Sequence, residues 1–219
     1  VEKLRNDSVS IRPSLSIERA ILIKKAYEEW EGKIEIPILR ALAFQKIMEE
    51  KDISIEDGEL IVGEKGEKAQ IAPTYPELTC YTDNDFEVLR SRKEVSFQSS
   101  REDQDLYIKE IAPYFQERCM RTKIFREMSQ EWKNCYESGI FTEFMEQRGP
   151  GHTVGDGKIY KEGFDDRKKR IEKKITEIDL LNDPEGFQKR NELKAMAIVC
   201  DGIMALGKRY EELALKKMN

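Results

Sequence analysis

Histidine is nearly missing from this chain: 219 residues contain one, His152. A zinc site of ordinary spacing needs several imidazoles or thiolates close together. The four cysteines, Cys80, Cys119, Cys135 and Cys200, are scattered and form no Cys-x-x-Cys pair, so no metal-ligating residues are expected. No cysteine has a histidine neighbour in sequence to activate it, and all four read as reduced thiols of a cytosolic protein. Long apolar runs are absent as well. None approaches the ~20 residues that span a bilayer, and the amino end lacks the basic-then-apolar pattern of a signal peptide. A cytoplasmic protein with no membrane partner is expected. Excess positive charge is also absent: 38 basic against 43 acidic residues leave a net charge of −5, which argues against a nucleic-acid partner. Finally, the chain opens on Val1 without an initiator methionine and stops at Asn219 directly after a strong helical pattern. Together these suggest part of a longer polypeptide.

What is present is helical rhythm. Apolar residues make up 39% of the chain and charged residues 37%, the balance of long amphipathic helices with solvated outer faces. The densest basic run, Arg167 to Arg170 with Lys173 and Lys174, is interleaved with acids and with Ile171 and Ile175, and reads as such a solvated face. Ser16 can cap a helix carrying Ala20, Ile23, Tyr27 and Trp30, closed by Gly32. Pro37 suits the first turn of a second helix. Residues 53–62, β-branched around Asp57-Gly58, predict a short strand or hairpin, and residues 63–76 a long loop. A helix is expected from Asp83 or Asn84. Another is expected over 101–128, kinked or divided at Pro113. Trp132, Tyr136, Ile140 and Phe144 are each four apart and would line one face, with a break at Ser138-Gly139. Further helices are marked by Phe164, Ile171, Ile175 and Ile178, and by the stripe Met196, Val199, Ile203, Leu206, Tyr210 and Leu213 after Asp183-Pro184. That stripe is expected to pack within the same protein rather than as a coiled coil. The fold class is predominantly α, with no separate domain boundary within 1–219.

Chemistry points to the run Phe141 to Val154. There a helical stretch stops at Gly149-Pro150-Gly151 and the single imidazole follows. His152 can fix that turn by a hydrogen bond to a carbonyl. It can equally offer a bound hydroxyl or carboxylate a polar contact, with Phe144 as the apolar wall of the pocket. Glu143 and Glu146 are neighbours on one face if the helix persists, and Asp156 lies near. Glu59 and Glu64 flank residues 60–63 without a nucleophile and base beside them. Gly63 and Gly66 lack the Gly-Lys-Ser/Thr ending of a phosphate loop.

Several blocks in order resemble one family. Ser16-Ile-Glu-Arg-Ala20, Ile36-Pro-Ile-Leu-Arg-Ala-Leu42, Asp57-Gly-Glu-Leu-Ile-Val-Gly-Glu64 and Ala72-Pro-Thr-Tyr-Pro-Glu77 are similar to the amino-terminal region of glycyl radical enzymes of the pyruvate formate-lyase type. Phe141 to Arg148, Pro150 to Val154 and Leu206-Gly-Lys-Arg-Tyr210 resemble the hydroxyproline dehydratase branch of that family. The resemblance implies helices that wrap a ten-stranded α/β barrel in the complete enzyme. It implies radical dehydration of trans-4-hydroxyproline to a pyrroline carboxylate, an anaerobic chemistry. It also implies a radical S-adenosylmethionine activating enzyme that installs the glycyl radical, and a homo-oligomer with the remainder of the barrel. Phe144 and His152 would be substrate-binding positions whose identities vary with substrate. The thiyl loop of the family, Gly-Cys-Val-Glu, and its radical motif, Arg-Val-x-Gly-Tyr, do not occur here. No catalytic residue is therefore assigned, and the chain by itself is expected to be inactive. The other classes implied are a lyase for choline, glycerol or another diol, isethionate or pyruvate, and a non-catalytic α-rich interaction module derived from such an enzyme.

Overall fold

The computed structural model describes residues 2–59, 61–140 and 156–218. It is predominantly α, as expected, and divides into two compact units, each discontinuous in sequence. The first comprises Val1–Ile11, Ile21–Ile71 and Val154–Asn219; the second comprises Arg12–Ala20 and Ala72–Thr153.

In the first unit, α3 (Ile36–Glu50) and α9 (Phe164–Thr176) pack along α10 (Gly186–Met218). At 33 residues, α10 is about 50 Å long. Pro37 lies in the first turn of α3, where its missing N–H costs nothing. Asp183 anchors the start of α10: its carbonyl accepts from Gly186 N at 2.9 Å and its carboxylate from Glu185 N at 3.0 Å and Lys189 Nζ at 2.8 Å. The helix thus begins slightly beyond the Asp183-Pro184 signal. Small residues bring α10 close to α3. A Cβ placed on Gly202 would sit 3.1 Å from Gln45 Cα, so the two backbones approach more closely than a side chain there would ordinarily allow. The expected stripe is correct in period but offset, since Met196 is 51% exposed while Ala195, Cys200, Gly202 and Tyr210 are buried.

The far end of α3 is closed by side chains. Arg209 on α10 donates to the carbonyls of Met48 at 2.7 Å and Lys51 at 2.6 Å, filling acceptors that a helix terminus leaves open. Lys51, 5% exposed, sends its ammonium to the Glu64 carbonyl at 2.6 Å. These bonds explain why residues 53–62 do not form the expected strand. Asp57-Gly58 does turn, with Gly58 at φ +91°, but polar side chains hold the flanking backbone. Ser54 donates to the Glu67 carbonyl at 2.7 Å, and Lys217 donates to Ile55. No ladder partner stands opposite the described residues of this stretch.

In the second unit, β1 (Ser14–Ser16) pairs with β2 (Ile71–Pro73), a strand inside the stretch expected to be loop. Leu15 N also donates to the Gln98 carbonyl at 2.7 Å, extending the pairing by a parallel bridge at Ser14. Ser16 caps α2 (Glu18–Trp30), accepting from Glu18 N at 3.2 Å, and Gly32 at φ +76° ends that helix, as expected. Helix α4 (Asp83–Ser91) starts from Thr82, whose hydroxyl accepts from Asp85 N in a reciprocal capping box.

Pro113 does not divide its helix. After α5 (Arg101–Leu106) the chain widens into a π turn over Tyr107–Ile111 and continues as α6 (Ala112–Phe115). Ala112 N reaches back five residues to the Tyr107 carbonyl. A proline ring normally collides with the carbonyl four residues earlier, here that of Lys109, and the wider turn moves this carbonyl aside. The break falls instead between Phe115 and α7 (Met120–Glu127). Tyr107 is 0% exposed and packs edge-on to Phe86 with ring centroids 5.5 Å apart, at the centre of this unit's core with Ile111 and Phe115.

Two glycines of α10 give opposite expected outcomes. Gly202→Val meets the α3 backbone and should destabilise by about 1–3 kcal/mol. Gly207→Ala, with nothing within 4 Å of its Cβ, should stabilise by up to about 1 kcal/mol. Urea unfolding of the full-length protein checks both, and equal effects would refute the close approach.

Candidate functional site

Phe144 and His152, with Glu143 and Glu146, lie outside the described residues, so the site is built from its flanks. Upstream, α7 and α8 (Gln130–Glu137) form two short amphipathic helices joined at Ser129, whose hydroxyl accepts from Trp132 N at 3.2 Å. Their apolar faces meet through three rings. Trp132 and Tyr136, one helical turn apart, stack at 5.6 Å, and Phe125 stands edge-on to both at 5.3 Å. Arg121 covers the open face of Phe125, its guanidinium carbon 4.4 Å from the ring centroid.

Helix α8 ends where the sequence predicted. Gly139, at φ +75°, donates to the Tyr136 carbonyl at 3.0 Å, and Ile140 N donates to the Cys135 carbonyl at 3.0 Å. These two bonds and the left-handed glycine make a Schellman motif. The motif removes Ile140 from the face shared by Trp132 and Tyr136, and it is 72% exposed. The four-residue rhythm therefore holds for two members and fails at the third. Downstream, residues Asp156–Tyr160 form a 3-10 turn, and Gly163 leads into α9. Glu162 pairs with Arg170 and with Arg167 at 3.6 Å, tying the end of this connection to the first turns of α9.

The other candidate carboxylates and glycines are structural. Glu59 accepts from the Glu56 amide at 2.9 Å, closing the Asp57-Gly58 turn. The 63–66 loop turns carbonyls, not amides, toward its bound cation, the Lys51 ammonium, and this polarity is opposite to that of a phosphate cradle. Gly66 is required because a Cβ there would lie 2.5 Å from the Ile71 carbonyl oxygen. The basic run of α9 is a solvated face, except that Lys168 reaches Asp201 of α10 at 2.8 Å. No group of three or more candidate metal ligands occurs among the described residues. All four cysteines are free. Burial is the main cause that pushes the Cys80 thiol up to about 12, and it also raises that of Cys200, so neither is an activated thiolate at neutral pH.

One cluster escaped the sequence reading. Arg19, in the first turn of α2, forms a two-pronged ion pair with Glu77, with one contact at 3.0 Å, and donates to the Thr74 carbonyl at 3.2 Å. Its guanidinium carbon lies 4.0 Å from the centroid of the Tyr75 ring. The only signal was that Arg19 and Glu77 each sit within a block carrying the family resemblance.

A model of the pyruvate formate lyase-like family matches residues 1–219. The chain belongs to that family. It is 50% identical over 97% of its length to trans-4-hydroxy-L-proline dehydratase from Clostridioides difficile, covering 27% of that protein. It is 30% identical over 93% of its length to isethionate sulfite-lyase from Nitratidesulfovibrio vulgaris, covering 26%. The solved structure of the Clostridioides difficile hydroxyproline dehydratase with trans-4-hydroxy-L-proline bound superposes with a TM-score of 0.90, over 96% of this chain and 27% of that one. The chain thus spans about a quarter of the length of the curated relatives it matches.

The half-buried Cys80 sets an alkaline limit. Its pKa is raised from 9.0 in the unfolded chain to about 12 in the fold, so the unfolded state loses its proton first as pH rises. The stabilisation is fully present below pH 9 and lost between 9 and 12. Burial raises Tyr107 too, adding to the same trend. Urea midpoints measured from pH 8 to 11 should fall more steeply for the native protein than for Cys80→Ala; parallel slopes would refute the raised thiol pKa.

Proposed function

We propose that the chain is the amino-terminal portion of a glycyl radical dehydratase that converts trans-4-hydroxyproline to a pyrroline carboxylate. The observation that carries this reading is the identity gradient: 50% to a trans-4-hydroxy-L-proline dehydratase and 30% to an isethionate sulfite-lyase, over nearly the same residues. In the complete enzyme the helices of this chain would wrap the α/β barrel. The glycyl radical, installed by a radical S-adenosylmethionine activating enzyme, would supply hydrogen abstraction. The residues of this chain do not fit the radical-bearing roles: it has no Gly-Cys-Val-Glu loop or Arg-Val-x-Gly-Tyr motif, and the thiols of half-buried Cys80 and buried Cys200 have raised pKa values.

This chain would contribute positioning. Phe144 would wall the ring of the substrate, and His152, as a neutral imidazole, would hold its hydroxyl or carboxylate. Fixing the ring ahead of the reaction removes orientational freedom that would otherwise be lost at the transition state. The enzyme would work in the cytoplasm as a homo-oligomer, under the anaerobic conditions that a glycyl radical requires.

Full-length protein, activated without oxygen, should dehydrate trans-4-hydroxyproline. Turnover of choline, glycerol, isethionate or pyruvate alone would overturn the substrate assignment. His152→Ala should weaken substrate affinity about tenfold, the equivalent of one hydrogen bond. Unchanged affinity in a correctly folded His152→Ala enzyme would remove its pocket role.

A further inference from the structure

Two thiols that are remote in sequence are neighbours in the second unit. Met120 N donates to the Glu77 carbonyl at 2.9 Å and Arg121 N to that of Leu78 at 3.0 Å, so the start of α7 runs beside the segment leading to Cys80. Cys119, at the N-cap of α7, and Cys80 therefore stand on adjoining backbone segments, and the Cys119 thiol helps to hold the Cys80 pKa up. Neither sulfur is committed to a strong partner. The Cys80 Sγ lies 3.5 Å from the Pro76 carbonyl oxygen and 3.9 Å from that of Ala112. The Cys119 Sγ lies 3.5 Å from the Gln116 carbonyl oxygen and 3.1 Å from Thr122 Oγ1. Weak thiol bonds of this kind are readily exchanged for a covalent one.

We propose that Cys80 and Cys119 form a redox-active dithiol that closes to an intrachain disulfide in the presence of hydrogen peroxide. Cys80, the less buried of the two, meets the oxidant first. Its thiolate attacks one peroxide oxygen, the O–O bond breaks, and the departing oxygen leaves as water after protonation. The product is a sulfenic acid on Cys80. The Cys119 sulfur then displaces that hydroxyl as a second water and forms the S–S bond. In sum, two thiols and one peroxide give one disulfide and two waters, with both sulfurs oxidised and both peroxide oxygens reduced. The new bond fastens the N-cap of α7 to the segment that enters α4, beside the Tyr81, Phe86 and Tyr107 cluster.

The surroundings make this closure slow at neutral pH. Cys119, Glu77 and Tyr107 face Cys80; each is neutral or negative there, so none draws its proton away. Only the minor thiolate fraction of Cys80 reacts, and that fraction grows tenfold per pH unit while pH stays below the pKa.

The test uses reduced full-length protein treated with hydrogen peroxide at pH 7, 8 and 9, blocked with iodoacetamide in denaturant and mapped by mass spectrometry without reduction. The expected product is a dithiothreitol-sensitive link between the Cys80 and Cys119 peptides, two hydrogens lighter than the free pair. It should form about tenfold faster per pH unit and persist in a Cys135→Ser, Cys200→Ser double variant. Overturning results are sulfinic or sulfonic acid at either position without the link, preferential pairing of either cysteine elsewhere, no link before the protein unfolds, or a rate independent of pH. Because the primary readout is on the native sequence, it does not depend on any variant folding.

Discussion

The carboxyl end of a helix buried against a neighbour leaves several carbonyls that water cannot reach, and in the first unit Arg209 satisfies two of them. Its guanidinium reaches the Met48 and Lys51 carbonyls from α10 and fixes the register between α10 and α3. The close approach at Gly202, two turns earlier on α10, depends on that register, because a side chain there would press on the Gln45 backbone. Lys51 extends the arrangement into the connection after α3 by giving its ammonium to the Glu64 carbonyl. A buried ammonium without acceptors would cost several kcal/mol, on the order expected for an unpaired buried charge. The conformation of the 63–66 loop and the burial of Lys51 are therefore one feature.

The second unit uses the same device in another form. Arg19 gathers the Thr74 carbonyl, the Glu77 carboxylate and the Tyr75 ring onto the first turn of α2. Ser16 just before it caps α2 with its hydroxyl while its carbonyl accepts from both the backbone N–H and the hydroxyl of Thr74. Two blocks of sequence that carry the family resemblance, 16–20 and 72–77, are thus contact partners. The block 206–210 behaves likewise, since Arg209 binds the end of α3 and Tyr210 is buried. These stretches are recognisable because guanidinium forks and carbonyl acceptors must match in geometry, and neither lysine nor a shortened carboxylate would reproduce the match.

Features governed by local chemistry were legible in the sequence. Caps at Ser16 and Asp183, the first-turn Pro37, the stops at Gly32 and Gly139 and the period of α10 depend on a few adjacent residues. Features set by distant partners were not. Strand β2 exists because β1 pairs with it, and residues 53–59 stay irregular because Ser54 and Lys217 hold their surroundings. Pro113 was read correctly as an obstacle, but whether a helix divides or widens depends on what anchors each side. Here the buried Tyr107 and Ile111 hold the helix in place, and the π turn absorbs the clash. The same reasoning sets the reach of the site. The helix stop before it was readable from Gly139, whereas the roles of Phe144 and His152 depend on a ligand and lie outside the described residues.

The anchors that hold the framework are identifiable without reference to any ligand, which decides how variants at those positions should be interpreted. Arg19, Lys51, Gly202 and Arg209 each hold groups of their own unit, so losing one lowers the folded fraction. A pocket residue on a rigid framework instead shifts KM for one substrate and leaves stability in place. The TM-score of 0.90 against a relative with half of the matched residues identical shows that the backbone tolerates extensive exchange of side chains. Side chains can therefore change at many positions while the guanidinium anchors keep the helix ends of each unit in place.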